Sequence, residues 1–477
     1  MKIRYSEILK FSFQILFTIM ILQVKAQPNL ILYHSIDHAN SSNNNPAFLT
    51  SQEKFTFSIF PISGMSTGYN NQVVINDMLL KVLRGDTAKA AFKDVFNGLV
   101  NRGLFYQSFE SSLLSIGYNS DYGAFNFRIK EVELIMNNFK GDFTRFLLDP
   151  DFITIPMNLE QHMPAELLHY REYSLGYAKE IIENKLTLGI RAKVYFGKAA
   201  FVSEVSGYTE NIDNSYYLKT KGSLKLSAPV NTVINDEEVL QPFVLQDNFS
   251  AGNYLLNTKN MGTGIDLGLT YQINNQILIS ASVVDLGKIN WKNNLNSTIL
   301  KGEILFEQEF INSSGDNFLT KNSGFTIDNN FDLFKVDSTK IAFSTSLPAN
   351  YYLGFQYKIT PELALGVVNR YIYKKDLSQY SLSLAAKYDV KPNISISSGY
   401  SIIGNSFFNI PFGIVYQWNR GQTFFATDNL FSFIIPSISD FTEITFGTCF
   451  YLFRGKEKYK EQEYFPFYQE KKRRSVK

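Results

Sequence analysis

The sequence predicts an all-β fold: a transmembrane antiparallel β-barrel of about 14 strands with short helices in its outer loops. Three observations carry this. Segments of about ten residues alternate strictly between apolar and polar side chains. Tight turns and long links follow one another along the chain. Aromatic residues reach 15%, yet mean hydropathy is only −0.11, the mixture left by strands that show lipid one face and a polar lumen the other.

In chain order, residues 1–26 read as a signal peptide. Lys2, Arg4 and Lys10 give a positive start, Phe11–Leu22 is an apolar run, and Val24-Lys25-Ala26 is suited to cleavage before Gln27. The run is well below the roughly 20 residues of a spanning helix. Residues 27–54 are expected to be an N-terminal periplasmic or plug segment, and residues 55–453 the barrel. Residues 454–477 are a basic periplasmic tail, with Lys471-Lys472-Arg473-Arg474 as a solvated charge run.

Within the barrel, Leu186, Leu188, Ile190, Ala192, Val194 and Phe196 form one face of a strand. Thr187, Gly189, Arg191, Lys193 and Tyr195 form the other. The pattern returns at Ile265–Tyr271, Leu353–Ile359 and Leu382–Tyr388. Tyr271, Tyr357, Tyr388 and Tyr400 lie on apolar faces, where an interfacial girdle belongs. A charge should therefore be rejected at Leu188 more strongly than the loss of one at Lys193.

Tight links occur at Asn119–Asp121, Glu183-Asn184, Asn274-Asn275, Thr360-Pro361, Lys391-Pro392 and Asn419–Gly421. With a first strand near Phe55–Phe60 and a last at Glu443–Phe453, the count is even and both termini are periplasmic. Residues 74–102 have helical periodicity and predict short amphipathic helices. Residues 198–262 and 289–350 predict long polar outer loops, with Tyr216–Leu226 as a hairpin extending one of them.

The polar face supplies the candidate site. Arg191, Lys193, Asp266, Gln356 and Lys358 are expected to face the lumen. They would be either a polar pathway or an ion-paired network that holds the barrel closed, and the need to pair buried charge favours the network. No catalytic constellation stands out, and the expectation is a protein that is not an enzyme and holds no cofactor or metal. His34 and His38 have metal-ligand spacing but no helix to present them. His162 and His169 lie near Glu166 and Glu172 with no marked nucleophile, so a membrane hydrolase is the weakest reading. Gly262-Thr263-Gly264 opens a strand, which excludes a phosphate loop. A formal net charge of +2 excludes nucleic acid as a partner, and the single cysteine, Cys449, excludes an internal disulfide.

Ser42-Asn43-Asn44-Asn45-Pro46-Ala47-Phe48 precedes the first strand. An Asn-Pro-Ala motif there (Asn45, Pro46, Ala47) resembles the start of long-chain fatty-acid transporter-like barrels and of the accessory barrels of the type IX secretion system of Bacteroidota. Leu347-Pro348-Ala349-Asn350-Tyr351-Tyr352-Leu353-Gly354 resembles a segment of a Bacteroidota outer-membrane family of unknown function. The resemblance implies a 14-stranded barrel of the cell outer membrane, consistent with the independent count. It implies a porin-like barrel that passes small hydrophobic molecules or serves a secretion or gliding assembly. The alternative is a structural barrel with a blocked lumen. Expected partners are outer-membrane lipid, the barrel-assembly machinery, and secretion-system proteins or a hydrophobic ligand. No ligand residues are carried over.

Overall fold

The structure is a computed structural model. It describes residues 30–35, 38, 40–51, 54–70, 104–138, 161–212, 215–231, 244–247, 249–306, 335–375, 377–435 and 439–452. The signal peptide, the helices expected in residues 74–102 and the basic tail lie outside the described residues.

In chain order the strands begin with β1 (Phe55–Ile59), β2 (Met65–Asn70), β3 (Leu104–Ser120), β4 (Gly123–Asn138), β5 (Gln161–Ile182), β6 (Leu186–Ile212) and β7 (Ser215–Ser227). There follow β8 (Val230–Asn231), β9 (Val244–Leu245), β10 (Asn260–Gln272), β11 (Ile277–Trp291), β12 (Leu295–Phe306), β13 (Lys335–Thr339), β14 (Phe343–Ser346) and β15 (Ala349–Lys358). The last are β16 (Leu363–Lys374), β17 (Leu377–Lys391), β18 (Ile394–Ile403), β19 (Ser406–Asn409), β20 (Phe412–Trp418), β21 (Gly421–Thr427) and β22 (Phe441–Tyr451). Short helices are α1 (Leu30–Tyr33), α2 (Ala251–Leu255) and α3 (Phe431–Ile434).

Neighbouring strands pair antiparallel, and the ring closes. β22 pairs with β1 at Thr56↔Tyr451 and with β2 at Met65↔Phe446. β1 and β2 act in tandem as one stave, as do β14 and β15 against β11. Counted that way, fourteen staves close the barrel among the described residues. No described helix is long and apolar enough to cross a membrane. Closure leaves no edge strand within the ring, which a chain in lipid requires because hydrocarbon offers backbone groups no partner.

The alternation sorts the two faces as expected. Leu188, Ile190, Leu267, Leu269, Leu353, Phe355, Leu384 and Tyr388 are exposed on the outside. Their neighbours Arg191, Asp266, Tyr352 and Ser383 are buried on the inside. All six tight links fall at one end of the barrel, where β1 begins and β22 ends.

Two expectations change. Residues 198–262 and 289–350 are not simply loops. β6 runs for 27 residues, well past the ring, and its far half pairs with β7, which pairs with β12, which pairs with β13. The pairing of β5 with β6 slips at His169/Tyr170, where Lys198 is the extra residue. That bulge moves the inward positions from Arg191, Lys193 and Tyr195 to Ala200 and Val202, so the alternation breaks although the strand continues. The Tyr216–Leu226 hairpin lies within this fin, as β7. The second change is at the long-loop end, where β16 and β17 are joined by only two residues, 375–376.

Candidate functional site

The interior is layered, starting from the tight-turn end. The N-terminal segment fills the first layer. Its residues Leu30, Ile31, Phe48 and Leu49 are at most 2% exposed although they precede the first strand. The α1 turn lies against β16, β17, β20 and β21, and the 3-10 turn Pro46–Ser51 against β4, β5, β6 and β10. The segment therefore bridges opposite walls. Asp428, just beyond β21, accepts from the backbone N–H of Leu30 (2.7 Å) and Ile31 (2.9 Å). Tyr33 stacks on Tyr352 at 5.2 Å.

Asn45, Pro46 and Ala47 sit in a slot in the wall. Asn45 Nδ2 donates to the carbonyls of Leu269 (3.2 Å) and Ala281 (3.3 Å), and Asn45 Oδ1 accepts from Ala47 N–H (3.0 Å). The slot is made by Gly189 and Gly268, which face each other on β6 and β10. A Cβ at Gly268 would lie 2.0 Å from Asn45 Oδ1, and one at Gly189 would lie 2.4 Å from the backbone of Pro46 and Ala47. Only glycine permits this approach. Arg191 Nη2 donates to Ser42 O (2.7 Å), Ser282 Oγ to Asn44 O (2.6 Å) and Gln356 Nε2 to His34 O (3.3 Å).

His34 and His38 do not converge on a common point. His34 Nε2 lies 3.4 Å from Ser383 Oγ, whereas His38 packs edge-on against Phe424 with centroids 3.9 Å apart. Burial holds His34 down to about 4, and burial with the nearby Lys387 charge holds His38 down to about 3. Both imidazoles are neutral at physiological pH. No group of potential metal ligands occurs among the described residues.

The second layer is ionic. Arg191 Nη1 meets Asp266 Oδ2 at 3.0 Å, and Lys193 Nζ meets Asp266 (2.9 Å), Asp285 (2.5 Å) and Glu172 (3.4 Å). Glu172 also faces Arg128 (3.2 Å) and Lys130 (3.7 Å), and Lys130 reaches Glu110 (2.8 Å). Four cations and four carboxylates thus form a charge-balanced belt on six consecutive staves. Arg191, Lys193 and Asp266 belong to it; Gln356 meets the N-terminal segment instead, and Lys358 is half-buried nearer the tight turns on the same strand. Between belt and segment lies a cavity of about 50 Å³ bordered by Asn43, Asn44, Glu110, Lys130 and Asp285.

Sequence reasoning missed Glu110, Arg128, Lys130, Glu172 and Asp285. Parity could have found Arg128 and Lys130, which alternate with Phe125, Phe127 and Ile129. Asp285 was hidden by a bulge: the β10–β11 register shifts between Ile265 and Leu267, and Asp285 takes a positive φ of 65°.

The third layer is apolar. Tyr106, Leu134, Leu168, Tyr195, Ile289 and Trp291 pack together on the inner face, further from the tight turns. Trp291 donates its indole N–H to Thr345 Oγ1 at 3.0 Å.

A separate polar chain lies on the outer face. Tyr254 Oη is 2.6 Å from His169 Nδ1, His169 Nε2 is 2.9 Å from Glu131, and Arg171 Nε donates to Glu131 at 2.6 Å. It has the serial order of a hydrolytic relay, but its terminal hydroxyl is a tyrosine whose pKa burial raises further. Its geometry ties α2 to the barrel wall.

The profile of the family of unknown function DUF5723 matches residues 46–428, and the chain belongs to that family. A search of curated protein sequences gave no match. Similar solved structures include the Pseudomonas putida toluene transporter TodX, at 11% identity and a TM-score of 0.39, covering 86% of this chain and 92% of that one. The Ralstonia pickettii toluene transporter TbuX is 10% identical, with a TM-score of 0.38 and coverage of 87% and 93%. A Pseudomonas aeruginosa FadL homologue gives the same four values.

Proposed function

We propose that this member of DUF5723 is a non-enzymatic outer-membrane barrel that passes small apolar molecules, with the N-terminal segment closing the lumen at rest. The apolar outer face and ring closure suit a lipid bilayer. The observation that carries the proposal is the apolar third layer. A barrel for ions or sugars would keep its inner wall polar along its length, whereas here Trp291, Tyr195 and Leu134 pack as a buried apolar layer inside the lumen, which an apolar solute would enter by parting these side chains.

The test uses proteoliposomes and compares uptake of a small aromatic hydrocarbon with that of a sugar of similar size. The hydrocarbon should enter faster than in empty liposomes and should quench Trp291 emission, a change lost in Trp291→Phe. Equal uptake with and without protein would refute transport. A second reading, a structural or interaction barrel with a blocked lumen, draws on the belt and the seated N-terminal segment. Service as an accessory subunit of a secretion or gliding assembly would be a form of it, and capture of assembly components from native membranes would support that form.

A further inference from the structure

The wall of the barrel is uneven in height. β16 and β17 have 12 and 15 residues, but β20 and β21 have only seven each. Seven residues extend roughly 23 Å along a strand, or roughly 18 Å along the axis at a tilt near 40°. The apolar band of an outer-membrane barrel is about 25 Å tall. On this side the strands stop short of the outer interface.

The missing height coincides with an exposed apolar surface outside the strand wall. β19, in the β18–β20 link, exposes Phe407 and Phe408, and α3, in the β21–β22 link, exposes Phe433, Ile434 and Ile435. Phe408 stacks on Phe431 at 5.3 Å, joining the two links into one patch. The patch continues the lipid-facing surface: Tyr400, exposed on the outer face of β18, donates its hydroxyl to Phe407 O. It carries no charge, since residues 392–419 and 429–439 contain no Asp, Glu, Lys or Arg.

Irregular backbone survives beside hydrocarbon only if its polar groups are satisfied internally. Side chains and a main-chain bond between the two links supply that here. Asn409 Nδ2 donates to the carbonyls of Ser401 (3.0 Å) and Ser406 (2.9 Å), and Asn429 Nδ2 to Phe441 O (3.0 Å). Ser432 Oγ donates to Asn429 O (2.7 Å), Ser398 Oγ to Pro411 O (3.0 Å), and Leu430 N–H to Ile410 O (2.7 Å).

We propose that β19 and α3 form the lipid-facing wall where β20 and β21 stop short, their apolar side chains lying among the acyl chains of the outer leaflet. The inference rests on the outer-membrane reading above. The test places a nitroxide at Phe408→Cys or Phe433→Cys, in a Cys449→Ser background, in the full-length protein in liposomes. Collision with oxygen, which concentrates in lipid, is compared with collision with a water-soluble nickel chelate. Leu384→Cys in the apolar band and Tyr122→Cys in a tight turn are the references. Both patch positions should favour oxygen severalfold, as Leu384→Cys does. Nickel-dominated collision there, with Leu384→Cys still favouring oxygen, would overturn the inference alone. Protection from both reagents would also overturn it, showing a protein partner or a second copy over the patch. Nickel-dominated collision at Leu384→Cys would overturn the membrane reading and the inference with it.

Discussion

Glu172→Met should strand a buried cation. In the belt, Glu172 faces Arg128, Lys130 and Lys193 within 4 Å, and its side chain is 1% exposed. Lys130 also has Glu110, and Lys193 also has Asp266 and Asp285. Arg128 makes its ion pair with Glu172, and its Nε and Nη1 have no hydrogen-bond partner among the described residues. Removing one member of a buried pair costs about 3–5 kcal/mol, because the other charge stays desolvated and unpaired. Arg128→Met should cost less, since Glu172 would keep two cations. The double variant should be more stable than Glu172→Met alone, giving a favourable coupling of roughly 1–3 kcal/mol. Urea unfolding in micelles, read by heat-modifiable gel mobility, measures all four species. A double variant that loses the sum of the single losses would refute the claim that Arg128 depends on Glu172.

Lengthening Gly268 to Val should unseat the Asn45-Pro46-Ala47 motif, because the Cβ position lies 2.0 Å from Asn45 Oδ1; raised bilayer conductance with the ring intact is the expected result. Acid should loosen the N-terminal segment: His34 and His38 are buried neutral, so the stability they confer above pH 6.5 is lost as pH falls toward about 4 and about 3. His34→Gln/His38→Gln should flatten the pH dependence of protease access to that segment. Leu188→Arg, on the lipid face, should cost about 2–4 kcal/mol at mid-depth. Lys193→Gln should be at least as damaging, not milder as alternation alone suggested, because Lys193 contacts three carboxylates; stability in micelles ranks the pair. Truncation before Phe441 should abolish assembly, since β22 pairs with β21, β1 and β2, while truncation after Lys456 should leave a heat-modifiable band.

Which face a residue takes was legible in the sequence, because period two is a local property. Leu188 and Arg191 have opposite parity on one strand, and the structure leaves Leu188 exposed and Arg191 buried. The partners were not legible. Arg191 meets Asp266 across 75 residues of chain and Lys193 meets Asp285 across 92, and nothing local encodes either pair. Bulges did the remaining concealment. The extra residue at Lys198 inverts the pattern mid-strand, which made β6 look finished and its continuation look like loop. The N-terminal motif was visible, but its slot was not, since Gly189 and Gly268 become neighbours only when β6 and β10 pair.

The fin built on β6 constrains the order in which the molecule can be assembled. The chain leaves the ring after β6 to form β7, returns to lay down β10 and β11, and leaves again to add β12 and β13 before re-entering at β14. β12 pairs with β7 along twelve residues, from Leu295↔Ser227 to Phe306↔Tyr216. Two staves of the ring are therefore woven between the halves of one small sheet. Until β12 docks, after β10 and β11 have joined the ring, β7 has β6 on one side and an unpaired row of backbone groups on the other. Closing that loop carries an entropic cost that local hairpins avoid. Stalled intermediates should accordingly carry an exposed β7 edge, the surface on which a holding chaperone or a second chain would act first.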